Sequence, residues 1–183
     1  MTDNVVAIAP NSPAWDFPAI EQFINLAFPD PTPEEHIFLQ VGKNAPKGVD
    51  NCFTPDKLQA RVRRMKAAVK AYYLTSTVSL TQGELRALKR AFVAFRVLVL
   101  DDVGTKIPLD RIPAAMEETY RIESSEGNFQ LGYVLAEPIT DYAQAQAFID
   151  LFVDAQLTDA GGSMPCKKVR LPAGVNGKKG DKG

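Results

Sequence analysis

Histidine is almost absent from this chain: His36 is the only one in 183 residues. Cysteine is scarce as well, with Cys52 and Cys166 far apart. So few and so distant, these residues exclude a zinc finger or a Cys/His metal cluster. A disulfide between the two is open on count alone, with reduced intracellular thiols as the default. Neither sign of charge dominates. Lys and Arg number 21 against 22 Asp and Glu, for a net charge of -1, so any nucleic-acid contact has to come from local charge. No apolar run is long enough to span a membrane. The start, MTDNVVAIAPNSPAW, lacks the basic opening and long apolar core of a signal peptide. These absences together point to a cytosolic protein.

What is present is ordinary globular material, 45% hydrophobic and 23% charged. The length suits one domain over residues 1–178. Residues 1–16 form an N-terminal arm or a single edge strand, and residues 179–183 a polar tail or linker. Phe17, Ile20, Phe23, Ile24 and Ala27 fall at helical spacing, and Pro29, Pro31 and Pro33 stop that helix. Residues 36–41 read as a strand, with His36 as a surface histidine at its start. Thr54-Pro55-Asp56 opens a second helix, through Leu58, Val62, Met65, Val69 and Tyr72. Its other face carries Lys57, Arg61, Arg63, Arg64, Lys66 and Lys70, either solvated or set against nucleic acid. Residues 71–79 are rich in aromatic and branched residues and read as a strand. Thr81-Gln82-Gly83-Glu84 matches a capping box for a short helix through Leu88 and Phe92. Residues 120–123 and 129–136 read as two strands joined by a tight turn at Gly127-Asn128. Residues 140–157 read as a helix, followed by a loop over 159–163. One hydrophobic core and no internal repeat are expected.

The stretch Phe95 to Thr105, FRVLVLDDVGT, organises the rest. Val97 to Leu100 is an unbroken apolar run, too short for an ordinary buried helix, and reads as a strand covered on both faces. It ends in Asp101-Asp102 and then Val103-Gly104. Two carboxylates at the tip of a central strand either cap a turn or hold a metal ion, since carboxylates are rarely buried without a partner.

Three stretches together resemble the archaeo-eukaryotic primase superfamily, in its phage and plasmid replication-protein branch. The first is the strand ending in Asp101-Asp102. The second is Ile122-Glu123-Ser124-Ser125-Glu126-Gly127-Asn128-Phe129-Gln130, similar to the family's hairpin leading into a Ser-x-His element. The third is Asp159 followed by Val169-Arg170-Leu171-Pro172-Ala173-Gly174-Val175-Asn176-Gly177-Lys178, similar to the family's last motif. The resemblance covers roughly Leu88 to Lys178. It departs in two places. The family's Asp-x-Asp is here an adjacent pair, and Asn128 and Gln130 stand where the Ser and His would be. Adjacent side chains of a regular strand point to opposite faces, so a regular strand would turn only one of Asp101 and Asp102 to a site.

The resemblance implies an α+β fold, an antiparallel or mixed sheet flanked by helices, like the RRM-like primase-polymerase core. It implies a metal-dependent DNA primase/polymerase, a nucleotidyltransferase, with Asp101, Asp102 and Asp159 as catalytic residues and ligands of Mg²⁺ or Mn²⁺. Asn128, Gln130, Arg170, Asn176 and Lys178 would bind the nucleotide. The implied partners are nucleoside triphosphates, a single-stranded DNA template and a helicase module C-terminal to this one. The setting would be the cytoplasm of a host cell. A catalytically degenerate module that binds single-stranded DNA is a second reading, and an unrelated structural domain a third. If Gln130 takes the histidine's place, it shares a sheet face with an aspartate and with Gly132, where the missing side chain leaves room for a nucleotide. Phe129, Leu131 and Tyr133 then point into the core under a helix.

Overall fold

The apolar run at the centre of the sequence forms the middle of β6 (Phe92–Val103), buried without interruption from Ala94 to Leu100. The computed structural model describes residues 6–8, 17–41, 52–54, 57, 71–79, 89–161 and 163–172. Before β6 come β1 (Val6–Ile8), α1 (Phe17–Ala27), β2 (Ile37–Val41), β3 (Cys52–Phe53), β4 (Ala71–Leu74) and β5 (Ser76–Val78), and after it β7 (Tyr120–Ser125). The remainder are β8 (Asn128–Ile139), α2 (Tyr142–Asp154) and β9 (Lys168–Arg170). The fold is α+β. A five-stranded sheet runs in the order β1-β7-β8-β6-β5, and a four-stranded sheet in the order β3-β2-β4-β9. Pairing is antiparallel except for β1, which lies parallel to β7 as an edge strand.

The larger sheet is covered on both faces, which explains why β6 carries no polar alternation. On one face Leu98, Leu100 and Val103 of β6 and Leu131 of β8 pack with Ala145 and Ile149 of α2. Phe129 and Tyr133 join them, as alternation along β8 requires. On the other face Val97, Val99, Tyr120 and Ile122 meet Ile20, Phe23, Ile24 and Ala27 of α1. Ile37, Leu39, Tyr73 and Val169 of the smaller sheet complete this second core. The expectation of one core beneath flanking helices is therefore corrected: the large sheet divides two cores, and a second sheet covers one of them.

A bend at Thr75 carries the chain from the smaller sheet into the larger. The Thr75 carbonyl accepts from both Arg96 N and Val97 N at 3.1 Å, so β6 bulges there. Arg96 thereby enters the interior, where its Nε and Nη2 donate to Glu35 at 2.9 and 2.7 Å. Thr77 Oγ1 donates to the same carboxylate at 2.6 Å and Thr32 N at 2.6 Å. Glu35 and Arg96 are 2% and 7% exposed. Burial pushes the Glu35 carboxyl up, but Arg96, Thr77 and Thr32 outweigh it and hold it below its ordinary value. His36 is buried rather than on the surface. It pairs with Val78 in an isolated bridge that joins the sheets, and its ring Nδ1 lies 3.0 Å from the Glu34 carbonyl.

Of the remaining expectations, the strand over 71–79 is broken in two by the bend. Residues 168–170 form a further strand, and α2 begins at Tyr142 behind an Asp141 cap. The proposed helix over 54–72 and the start of the one from Thr81 lie largely outside the described residues. Cys166 is buried and free, its thiol pushed up to about 11 by burial. No helix of the described residues is long and apolar enough to cross a membrane.

Candidate functional site

β6 and β8 slip register between Leu100, opposite Leu131, and Val103, opposite Phe129. Asp101 and Asp102 therefore face Gln130 alone, a bulge of two residues against one. Asp102 takes φ +59° to make it. The bulge cancels the alternation that would separate adjacent acids. Asp101 Oδ1 accepts from Gln130 Nε2 at 3.1 Å, and Asp102 Oδ1 from Asn128 Nδ2 at 3.2 Å. Asn128 and Gln130 are two apart in β8 and share a face, so both carboxylates turn to the same side.

The turn after β6 brings a cation to these acids. Asp102 O accepts from Lys106 N and Ile107 N, at 3.0 and 3.1 Å. Gly104 has φ +92°, and a Cβ there would sit 2.3 Å from the Gly127 carbonyl oxygen, so only glycine fits between the two turns. Lys106 Nζ lies 2.7 Å from Asp102 Oδ2 and 2.8 Å from Asp159 Oδ2. Asp159 is set by the end of α2: Gln156 in the left-handed region (φ +56°) reverses the chain, and Leu157 N returns to Phe152 O. Thr158 then accepts from Asp101 N at 3.3 Å, which ties this loop to β6. Asp159 Oδ1 itself accepts from Gly161 N at 3.0 Å.

A second cation approaches from the loop before β9. Thr75 and Ser76 hydroxyls both donate to the Pro165 carbonyl, at 2.7 and 2.5 Å. That fixes Lys167, whose Nζ lies 3.2 Å from Asp101 Oδ2. Arg170 follows two residues later. Its backbone N donates to Gln130 Oε1 at 3.3 Å, and its guanidinium stands 5.8 Å from the centre of the Tyr72 ring.

Asp101, Asp102 and Asp159, with Asn128, Gln130 and Arg170, thus meet at one end of the larger sheet from segments far apart in sequence. Asn176 and Lys178 lie outside the described residues. Two expectations change. Gln130 is buried, and both ends of its amide are engaged, so it braces Asp101 and β9 instead of standing open to a ligand. The space over Gly132 is filled by Tyr120, whose ring carbon would lie 1.9 Å from an added Cβ. The glycine makes room for this ring, whose hydroxyl contacts that of Tyr73 in the interior. Lys106 and Lys167 were not singled out by sequence reasoning. Spacing carried a signal for Lys106, four residues after Asp102; Lys167 meets Asp101 only through the fold.

The charges are strongly coupled. Lys106 holds the Asp102 carboxyl below its ordinary value, with Asn128 adding to the effect. Lys106 also lowers Asp159, with help from Gly161 N, and is itself raised by both acids. Among the described residues no three His, Cys, Asp or Glu side chains gather closely enough to hold an ion alone. Two carboxylate oxygens aimed at one cation are a different donor set. Mg²⁺ takes hard oxygen ligands and is often held by one or two carboxylates plus substrate phosphates, which these residues fit.

No family model matches this chain, and no curated protein matches it. Among solved structures it is similar to the AEP domain of the cyanophage S-2L primase-polymerase, with 14% identity, 83% of this chain and 79% of that chain covered, and a TM-score of 0.48.

Proposed function

We propose that this chain is the catalytic domain of a metal-dependent DNA primase/polymerase, a nucleotidyltransferase of a phage or plasmid replication protein. The observation that carries this reading is that Asp102 and Asp159 share one cation, with Asp101 beside Asp102 in the bulge opposite Gln130. Asp102 and Asp159 would hold Mg²⁺ or Mn²⁺, with Asp101 beside Asp102 in the bulge. The ion, when bound, neutralises the triphosphate and aligns the attacking hydroxyl. Asn128 orients Asp102, and Gln130 fixes Asp101 against β9. Arg170 supplies cationic charge for a phosphate of the nucleoside triphosphate or of the single-stranded DNA template, with Tyr72 beside it. Asn176 and Lys178 belong to the same nucleotide-binding set by their place in the last motif. A helicase module is a further proposed partner, and a host cytoplasm the proposed setting.

A second reading is favoured by a specific observation. Each acid already has an ammonium partner, Lys106 for Asp102 and Asp159, Lys167 for Asp101. A domain that binds single-stranded DNA without synthesis would be built so. Fluorescence titration with labelled single-stranded DNA, followed by Mn²⁺ and nucleoside triphosphates on the same template, separates the two. Labelled product from the wild type, lost in Asp102→Asn, supports the primase/polymerase. Binding without product supports the degenerate module, and neither binding nor product removes both readings.

A further inference from the structure

Lys106 is an unusual neighbour for two acids assigned to a metal. Its Nζ is within 2.8 Å of both Asp102 Oδ2 and Asp159 Oδ2, the place that an ion shared by those oxygens has to occupy. An ammonium and a divalent ion cannot both sit there: they would crowd each other and repel. Its side chain is nevertheless 63% exposed, and the four-carbon stem rotates freely in solvent. Its backbone is held by the turn from Asp102, so it stays tethered within reach. Lys167 pairs instead with Asp101, from the loop before β9.

From this geometry we infer that Lys106 is a built-in placeholder, occupying the cation position between Asp102 and Asp159 until a divalent ion displaces it. The inference rests on the reading of Asp102 and Asp159 as metal ligands, and adds how that site is kept closed. The placeholder neutralises two nearby acids when the site is idle and makes ion entry a competition. It also favours ions that arrive with a triphosphate, since the displaced ammonium then finds phosphate oxygens to pair with.

The test is calorimetric titration of Mn²⁺ into the wild type, Lys106→Met, Lys106→Arg and the double variant Lys106→Met/Asp159→Asn, at one pH and ionic strength. Loss of the competing charge should tighten Mn²⁺ binding about tenfold in Lys106→Met, an order of magnitude suited to an exposed ammonium shared by two acids. Lys106→Arg should stay near the wild type, and the double variant should lose the gain. Equal affinity in wild type and Lys106→Met overturns the placeholder, as does a gain that survives Asp159→Asn. Template-directed synthesis by the wild type is read on the same preparations. Product with equal affinities removes the placeholder and keeps the catalytic reading. A tenfold gain without product keeps the placeholder and removes the catalytic reading.

Discussion

Two groups of opposed charges among the described residues are built in opposite ways. Glu35 and Arg96 meet in the interior, with Thr32, Thr77 and the Pro29 carbonyl as further partners. Asp101, Asp102 and Asp159 meet Lys106 and Lys167 at the sheet's end, where water reaches most partners. The first group is closed, planar and bidentate, an arginine fork matched to a carboxylate. The second uses lysines, flexible point charges that release an acid at little cost. A buried, satisfied pair fixes a structure; an open group of carboxylates with removable partners can exchange them for a ligand.

The largest expected effect comes from breaking the closed pair. Arg96→Met leaves Glu35 buried without its counter-charge, with only Thr77 Oγ1 and Thr32 N still donating to it, which should cost about 3–5 kcal/mol of stability in denaturant unfolding. A loss under 1 kcal/mol would show that water reaches Glu35 and erase the contrast. Next is Gly132→Ala, which forces the Tyr120 ring aside. Overpacking of this kind should cost about 1–3 kcal/mol, while a nucleotide pocket over Gly132 would have tolerated it. Gln130→Ala strips the brace from Asp101 and from Arg170 N, and should cost about 1–3 kcal/mol. Gln130→Glu keeps one acceptor but sets a second charge beside Asp101, and should bind phosphate-bearing ligands more weakly than the wild type.

Acid sharpens the comparison further. Glu35 has its carboxyl lowered in the folded protein, so its contribution is present above its unfolded pKa and is lost as pH falls through the folded value. Unfolding followed between pH 6 and 3 should steepen below about 4, the ordinary glutamate range. Glu35→Gln should flatten that limb. Asp102 is lowered too and acts in the same direction, but it is open to screening. Asp102→Asn should change stability by under about 1 kcal/mol, the smallest effect of the series. A steep limb that survives Glu35→Gln would move the acid-sensitive charge to the sheet's end.

Much of the frame was legible because it is written locally. The helical spacing of α1, the unbroken apolar run of β6, the turn at Gly127 and the alternation of β8 all depend on neighbours in sequence. The second sheet was not legible. It joins β2 to β4 and β4 to β9 across long separations, and β9 offers only Val169 as an apolar residue between Lys168 and Arg170. The candidate site was legible as residue types at three places, Asp101-Asp102, Asn128 to Gln130, and Asp159 to Arg170. Its charge balance was not. The bulge that turns adjacent acids to one side follows from pairing with β8, and Lys167 reaches Asp101 through hydroxyls at Thr75 and Ser76. Gln130 looked like an exposed phosphate contact because no local pattern reveals that β9 passes beside it.

The open group's role is tested most directly by the rate at which purified protein incorporates labelled nucleotide on a single-stranded DNA template with Mn²⁺, compared between wild type and Asp159→Asn. The two should melt alike, because among the described residues the Asp159 side chain bonds an exposed lysine and its own turn. The wild type should make product and Asp159→Asn should lose at least about a hundredfold in rate, the scale of removing a group that stabilises transition-state charge. A folded wild type that makes no product, or an Asp159→Asn variant that matches it, would contradict the assignment.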